Sequence, residues 1–182
     1  EGIPFAGHIP VAMEAADAAV KAAKGKSNRD DCQSFFNNFE KNISNMQRDI
    51  FAEKVPYNIY KHFYVYDPKK RLISAACFKD RILHHAIMNH AVPIIEKSLV
   101  PFTFACRKGK GPLKAVHRVQ KYIQRKPWYV KIDIDKYFES IDHSILFNTI
   151  RKKLKGVYFL SLMKKIIKID KHPEKGLPIG NL

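Results

Sequence analysis

The chain has 182 residues, 46% of them hydrophobic and 12% aromatic, which is enough to bury a core and too apolar for a disordered segment. Thirty-three Lys and Arg against 17 Asp and Glu leave a net charge of +16, which excludes a cationic partner and points to nucleic acid or an anionic membrane surface. The sequence has no long apolar run, no signal-peptide pattern and no CxxC pair among Cys32, Cys77 and Cys106. A membrane span, a zinc site and a disulfide framework are therefore not expected, and a reducing cytoplasm is.

Residues 1–11 carry Gly, Pro and His without periodicity and are expected to be irregular. The Ala-rich stretch 12–23 is helical by propensity and stops near Lys24-Gly25-Lys26. One long helix is predicted from about Asp30 to Phe51, with Phe35, Phe39, Ile43, Met46 and Ile50 on a buried stripe. Residues 62–75, HFYVYDPKKRLISA, alternate aromatic and β-branched positions around the turn Asp67-Pro68-Lys69-Lys70 and predict a β-hairpin. Asp80 is placed to cap a helix that runs through about His90, and Pro93 is expected to bend or restart it before Leu99. A basic, Gly-containing loop, PFTFACRKGKG, covers residues 101–111. Pro112 then opens a helix with Leu113, Val116, Val119 and Ile123 inward and Lys114, Arg118, Lys121 and Arg125 outward. Pro127 ends it, Tyr129–Asp135 predicts a strand, and two helices follow at about 144–154 and 157–169 before a final loop.

Two constellations carry chemistry. In YVKIDID, Lys131, Asp133 and Asp135 share one face of the strand, with the two carboxylates about 6–7 Å apart. Such a pair suits a Mg²⁺ ion that keeps waters and binds phosphates, and it equally suits a solvated face balanced by Lys131 and Lys136. Asp142 is positioned as a helix N-cap. The interval from Lys97 to Ile132 holds ten Lys or Arg and no Asp or Glu, a self-repelling run unless a polyanion is near. Within it, CRKGKG exposes backbone N–H groups beside Arg107, Lys108 and Lys110, a phosphate-binding composition without a Walker pattern. His84, His85 and His90 lack the i,i+4 spacing of a helical metal site, and Cys106 has no assignable base partner.

The segments AAKGK (22–26), DPKKRLISA (67–75), FKDRILHHAI (78–87), ACRKGKG (105–111), VKIDIDKYFESIDHSIL (130–146) and GLPIGNL (176–182) together resemble the reverse transcriptases of bacterial retroelements. CRKGKG and GLPIGNL look most like the diversity-generating retroelement type. The resemblance covers about Ala19 to Leu182. It implies an α+β right-hand polymerase with fingers and an incomplete palm, helix-rich, with a fingers β-hairpin and a palm strand. Residues 1–18 are then a lead-in, 19–126 the fingers region and 127–182 a partial palm.

By the same resemblance Asp133 is the first catalytic aspartate and metal ligand, with the Ile134 carbonyl helping to hold the metal, while Asp135 and Glu139 are not ligands. Phe138 matches the steric gate against a ribose 2′-OH. Lys69, Lys70 and Arg71 sit on the fingers hairpin, and Lys69 and Arg71 meet the incoming nucleotide and its triphosphate. Ile179, Gly180 and Asn181 begin the segment that cradles the template and the nucleotide's base. Arg107, Lys108, Lys110, Lys114, Arg118 and Lys121 are the expected nucleic-acid contacts.

The implied partners are an RNA template, a DNA primer, deoxynucleoside triphosphate and Mg²⁺, with an accessory protein on the basic surface as a further candidate. The family's Tyr-x-Asp-Asp element and thumb do not follow within the chain, so an N-terminal piece of a longer enzyme is expected, with weak or absent metal binding, no polymerisation alone and self-association through its uncovered edge. Two alternatives stand beside this reading: a non-catalytic basic RNA-binding module, and a reverse transcriptase of a group II intron or defence system.

Overall fold

A computed structural model describes residues 9–66, 69–168 and 174–178, the side chains of Ile9 and Pro10 excepted. Helix α1 (Ile9–Met13) is followed after Glu14 by α2 (Ala15–Ala23). Helix thus begins inside the stretch expected to be irregular. Pro10 falls in the first turn, where its missing N–H leaves no helical bond unmade. The single helix predicted over Asp30–Phe51 is two, α3 (Asp30–Phe36) and α4 (Phe39–Phe51). The break is at Asn37-Asn38, side chains that compete with helical backbone bonds, and Asn38 departs to φ −131° and ψ 46°. The apolar stripe survives it: Phe35, Ile43, Met46 and Ile50 are buried, and Phe39 stacks on Phe36 with centroids 5.2 Å apart.

Strands β1 (Tyr60–Tyr66) and β2 (Lys70–Ala76) pair antiparallel, from Tyr60 opposite Ala76 to Tyr66 opposite Lys70. This is the hairpin that the alternation predicts; Asp67 and Pro68 of its turn lie outside the described residues. Helix α5 (Phe78–Glu96) continues past Pro93 and does not restart there. Ile82, Leu83, Ala86 and Ile87 are buried along it, so packing rather than intrinsic propensity holds it. Asp80 is not its cap. Its carboxylate lies inside the first turn and accepts from the backbone N–H of Tyr57 at 2.8 Å and of Ile59 at 3.4 Å. The residue is 1% exposed, so it ties the segment entering β1 to the buried side of α5.

The chain divides into two compact units, one of Glu1–Ile94 with Lys136–Leu182 and one of Ile95–Asp135. The boundary expected at 126/127 falls inside the second. In the first unit, α8 (His143–Lys153) and α9 (Val157–Ile167) bring Leu154, Phe159 and Leu162 into a core shared with Met46, Ile50, Ile82 and Leu83. The Tyr158 hydroxyl donates to the Ile50 carbonyl at 2.9 Å, and burial pushes its pKa up to about 12. Asp142 caps α8 as predicted, accepting from Ser144 N at 2.9 Å and Ile145 N at 3.0 Å. A short helical turn, α7 (Tyr137–Ser140), precedes it. The start of GLPIGNL folds back on this region, with Gly176 N–H on Ile141 O and Leu177 N–H on Phe138 O, both at 2.8 Å.

The second unit departs most from expectation. In α6 (Pro112–Ile123) no residue is buried, and the supposedly inward Leu113, Val116, Val119 and Ile123 are at least half exposed. Amphipathic spacing identifies an apolar face; it does not supply a surface to cover it. The strand predicted at Tyr129–Asp135 is also missing. A strand is defined by its ladder, and among the described residues none pairs with this segment, whose Val130 and Ile132 are 89% and 87% exposed.

Replacing Asp80 by Ala leaves two backbone donors without their acceptor, at about 1–3 kcal/mol each. A drop of that order in urea-unfolding free energy is expected for Asp80→Ala, with a smaller drop for Asp80→Asn, which keeps one acceptor oxygen. Equal stability of Asp80→Ala and wild type contradicts the assignment.

Candidate nucleic-acid interface

Glu96 is the last carboxylate before the cationic interval, and the loop that follows α5 is organised around it. The Arg107 guanidinium meets Glu96 at 2.5 Å through Nη2 and donates to it from Nε at 2.7 Å. Its Nη1 donates to Val100 O at 2.9 Å, Thr103 O at 3.2 Å and Thr103 Oγ1 at 2.6 Å. With a side chain only 9% exposed, Arg107 is the internal tie of the loop and not an outward phosphate ligand. This fork-shaped, five-donor geometry is what Lys could not supply.

Beyond Arg107 the backbone turns through positive φ at Gly109 (72°) and Gly111 (119°), where L side chains are strained. That turn folds Lys110 back, so that its ammonium donates to Pro101 O and lies 5.5 Å from the Phe104 ring centroid. Lys114, in the first turn of α6, donates to Gly109 O at 2.5 Å. One turn on, the Arg118 guanidinium lies 4.5 Å from the Phe102 centroid and 4.9 Å from that of Tyr122, whose hydroxyl accepts from Nη2 at 3.0 Å.

These side chains surround a cleft of about 370 Å³ lined by Phe102, Phe104, Lys110, Lys114, Arg118 and Lys121, with His117 beside them. No carboxylate lines it. An apolar cleft of about 550 Å³ shares Phe102, Phe104 and Arg118 and adds Val119, Tyr122 and Trp128. Cations that hold phosphate, set beside exposed aromatic rings that can stack on bases, are the two components of a single-strand binding surface.

The structure thus brings Lys110, Lys114, Arg118 and Lys121 together. Lys108 is exposed on the loop and does not line the cleft, and Arg107 faces inward. Asp133, Ile134 and Asp135 are exposed in the segment that lacks a ladder. Among the described residues no group of three or more His, Cys, Asp or Glu side chains could hold a metal, and a lone exposed carboxylate falls short of what Mg²⁺ requires. The residues described do not fit a magnesium site by themselves. Phe138 lies in the first unit, 45% exposed, with its ring edge-on to Tyr137 at 5.4 Å. Lys69 and Arg71 are exposed on the hairpin, while Ile179, Gly180 and Asn181 lie outside the described residues. Sequence reasoning missed Glu96, Phe102, Phe104 and Tyr122. The available signals were Tyr122 four residues after Arg118 and Glu96 standing alone at the head of a cation run.

No family model matches the chain. It is 21% identical over 168 residues to a putative COX1/OXI3 intron 2 protein of Saccharomyces cerevisiae, a match covering 80% of this chain and 20% of that protein. It is 25% identical over 122 residues to protein YkfC of Escherichia coli, covering 62% of this chain and 32% of the relative. A putative COX1/OXI3 intron 1 protein of the same yeast is 22% identical over 120 residues, or 62% of this chain and 14% of that one. The chain is distantly similar to intron proteins. It spans about a third or less of the length of these relatives.

If Arg107 ties the loop, Arg107→Ala releases Val100 and Thr103 from their shared donor. Amide exchange across residues 97–107 is expected to accelerate while α9 stays protected; unchanged protection of the loop contradicts this role.

Proposed function

We propose that this chain is the nucleic-acid-gripping part of an RNA-directed DNA polymerase of the retroelement type. The observation that carries the reading is the cleft of Lys110, Lys114, Arg118 and Lys121, free of carboxylates and walled by Phe102 and Phe104. The ordered segments from AAKGK to GLPIGNL supply the polymerase half of the proposal. The cleft residues hold strand phosphates. Lys69 and Arg71, exposed on the hairpin, reach the triphosphate of a deoxynucleotide, Phe138 screens its sugar, and Ile179 and Gly180 support its base. Asp133 and the Ile134 carbonyl would each supply one oxygen to a metal centre, which further carboxylates would have to complete.

A second reading concerns the setting. CRKGKG and GLPIGNL favour a diversity-generating retroelement, while the distant likeness to intron proteins favours an intron-borne enzyme of the same chemistry. A basic RNA-binding module accounts for the cleft equally well, but it gives no reason for Phe138 to stand five residues after Asp133 within the ordered motifs.

Binding of single-stranded RNA to the chain is expected to weaken steeply with salt. Each phosphate contact removed lowers the steepness of log K against log[salt] by about 0.7 for a single strand. Lys114→Ala with Lys121→Ala therefore flattens it by about 1.4 and weakens binding at every salt concentration. An unchanged slope in the double variant, or no binding by wild type at low salt, defeats the proposal.

A further inference from the structure

Register sorts the hairpin's side chains onto two faces. Directly opposed residues of an antiparallel pair project to one side, and alternate residues project to opposite sides. Tyr60, His62, Tyr64 and Tyr66 therefore share a face with Lys70, Leu72 and Ser74, while Phe63, Val65, Arg71 and Ile73 share the other. The Arg71 face is the one proposed above for the nucleotide. The tyrosine face has no part in that reading.

That face is unusual for a solvated hairpin. β1 places an aromatic ring at every second position, and Tyr64 and Tyr66 are 54% and 71% exposed. Alternate positions on a strand repeat at about 6.6–6.8 Å. The rings of Tyr60 and His62 are stacked with centroids 6.4 Å apart and planes 20° from parallel. The Lys70 ammonium lies 4.2 Å from the centroid of Tyr64 and 5.9 Å from that of Tyr66, a cation shared by two rings. Neither strand contains Asp or Glu, while between them they carry Lys61, Lys70 and Arg71. A partner for this surface must be anionic and must offer flat apolar faces at a regular repeat. An unpaired nucleic-acid strand has both properties, whereas a duplex hides its base faces in its own stack.

We infer that Tyr64 and Tyr66, with Lys70 between them, form a stacking platform for an unpaired nucleic-acid strand, on the side of the hairpin away from Arg71. The inference rests on the nucleic-acid-binding reading above, but it uses residues that the cationic cleft does not contain, so the two can fail separately.

The test is fluorescence-anisotropy binding of the whole chain to three labelled probes: a short single-stranded RNA, the same strand with abasic sugars, and a blunt duplex. Tyr64→Ala with Tyr66→Ala is expected to weaken binding of the base-bearing strand by about 5- to 150-fold per lost stack, while leaving the salt slope and the affinity for the abasic strand unchanged. Tyr64→Phe with Tyr66→Phe keeps both rings and is expected to bind as wild type does. If the alanine variant holds the base-bearing strand as tightly as wild type, the platform is refuted and the cleft stands. Equal loss on all three probes also refutes it, since the rings then serve only the fold. Failure of wild type to bind any probe at low salt refutes the underlying reading instead.

Discussion

The Arg107–Glu96 contact organises the loop that leads into the cationic cleft of the second unit. Ten cations between residues 97 and 132 repel one another, and no carboxylate inside that interval offsets them. One of the ten turns inward onto Glu96, the carboxylate immediately before the interval, and its remaining donors collect Val100 and Thr103. Charge-assisted bonds of this kind, partly buried, are stronger than neutral ones and leave little geometric freedom. Lys110 and Lys114 add bonds to the Pro101 and Gly109 carbonyls of the same loop, and with Arg118 and Lys121 they line one cleft that holds no carboxylate. Their unbalanced field is a constraint that a phosphate backbone can relieve.

The rings matter as much as the charges. Phe102, Phe104 and Tyr122 are partly exposed and hold Lys110 and Arg118 in place by cation–π contact, so the cations are presented on fixed supports instead of long free stems. The hairpin repeats the pattern in miniature, with Lys70 against Tyr64 and Tyr66. Both surfaces pair an anion-attracting group with a flat ring, the combination suited to an unpaired strand.

What could be read in the sequence was what neighbouring residues decide. The β1–β2 hairpin follows from alternation over a few positions, the Asp142 cap from one side chain and its next two residues, and the α3–α4 stripe from spacing that persists across the Asn37-Asn38 break. What could not be read depends on distant partners. Tyr129–Asp135 alternates like a strand, yet alternation does not provide a neighbouring ladder. The face of α6 is apolar at Leu113, Val116, Val119 and Ile123, yet nothing in that spacing says whether it is covered. Asp80 looked like a cap because caps are local; its true acceptor role involves Tyr57 and Ile59, more than twenty residues earlier. Arg107 looks like its basic neighbours in composition, which does not distinguish a tie from a ligand.

The account stands on the second unit gripping nucleic acid through its cleft. The most direct measurement is photo-cross-linking of the intact chain to single-stranded RNA carrying a photoreactive base, with adducts mapped by mass spectrometry. The account predicts adducts at Phe102, Phe104 or Tyr122. Robust cross-linking that leaves residues 95–135 unmodified and labels only the lysines of α8 and α9 contradicts it.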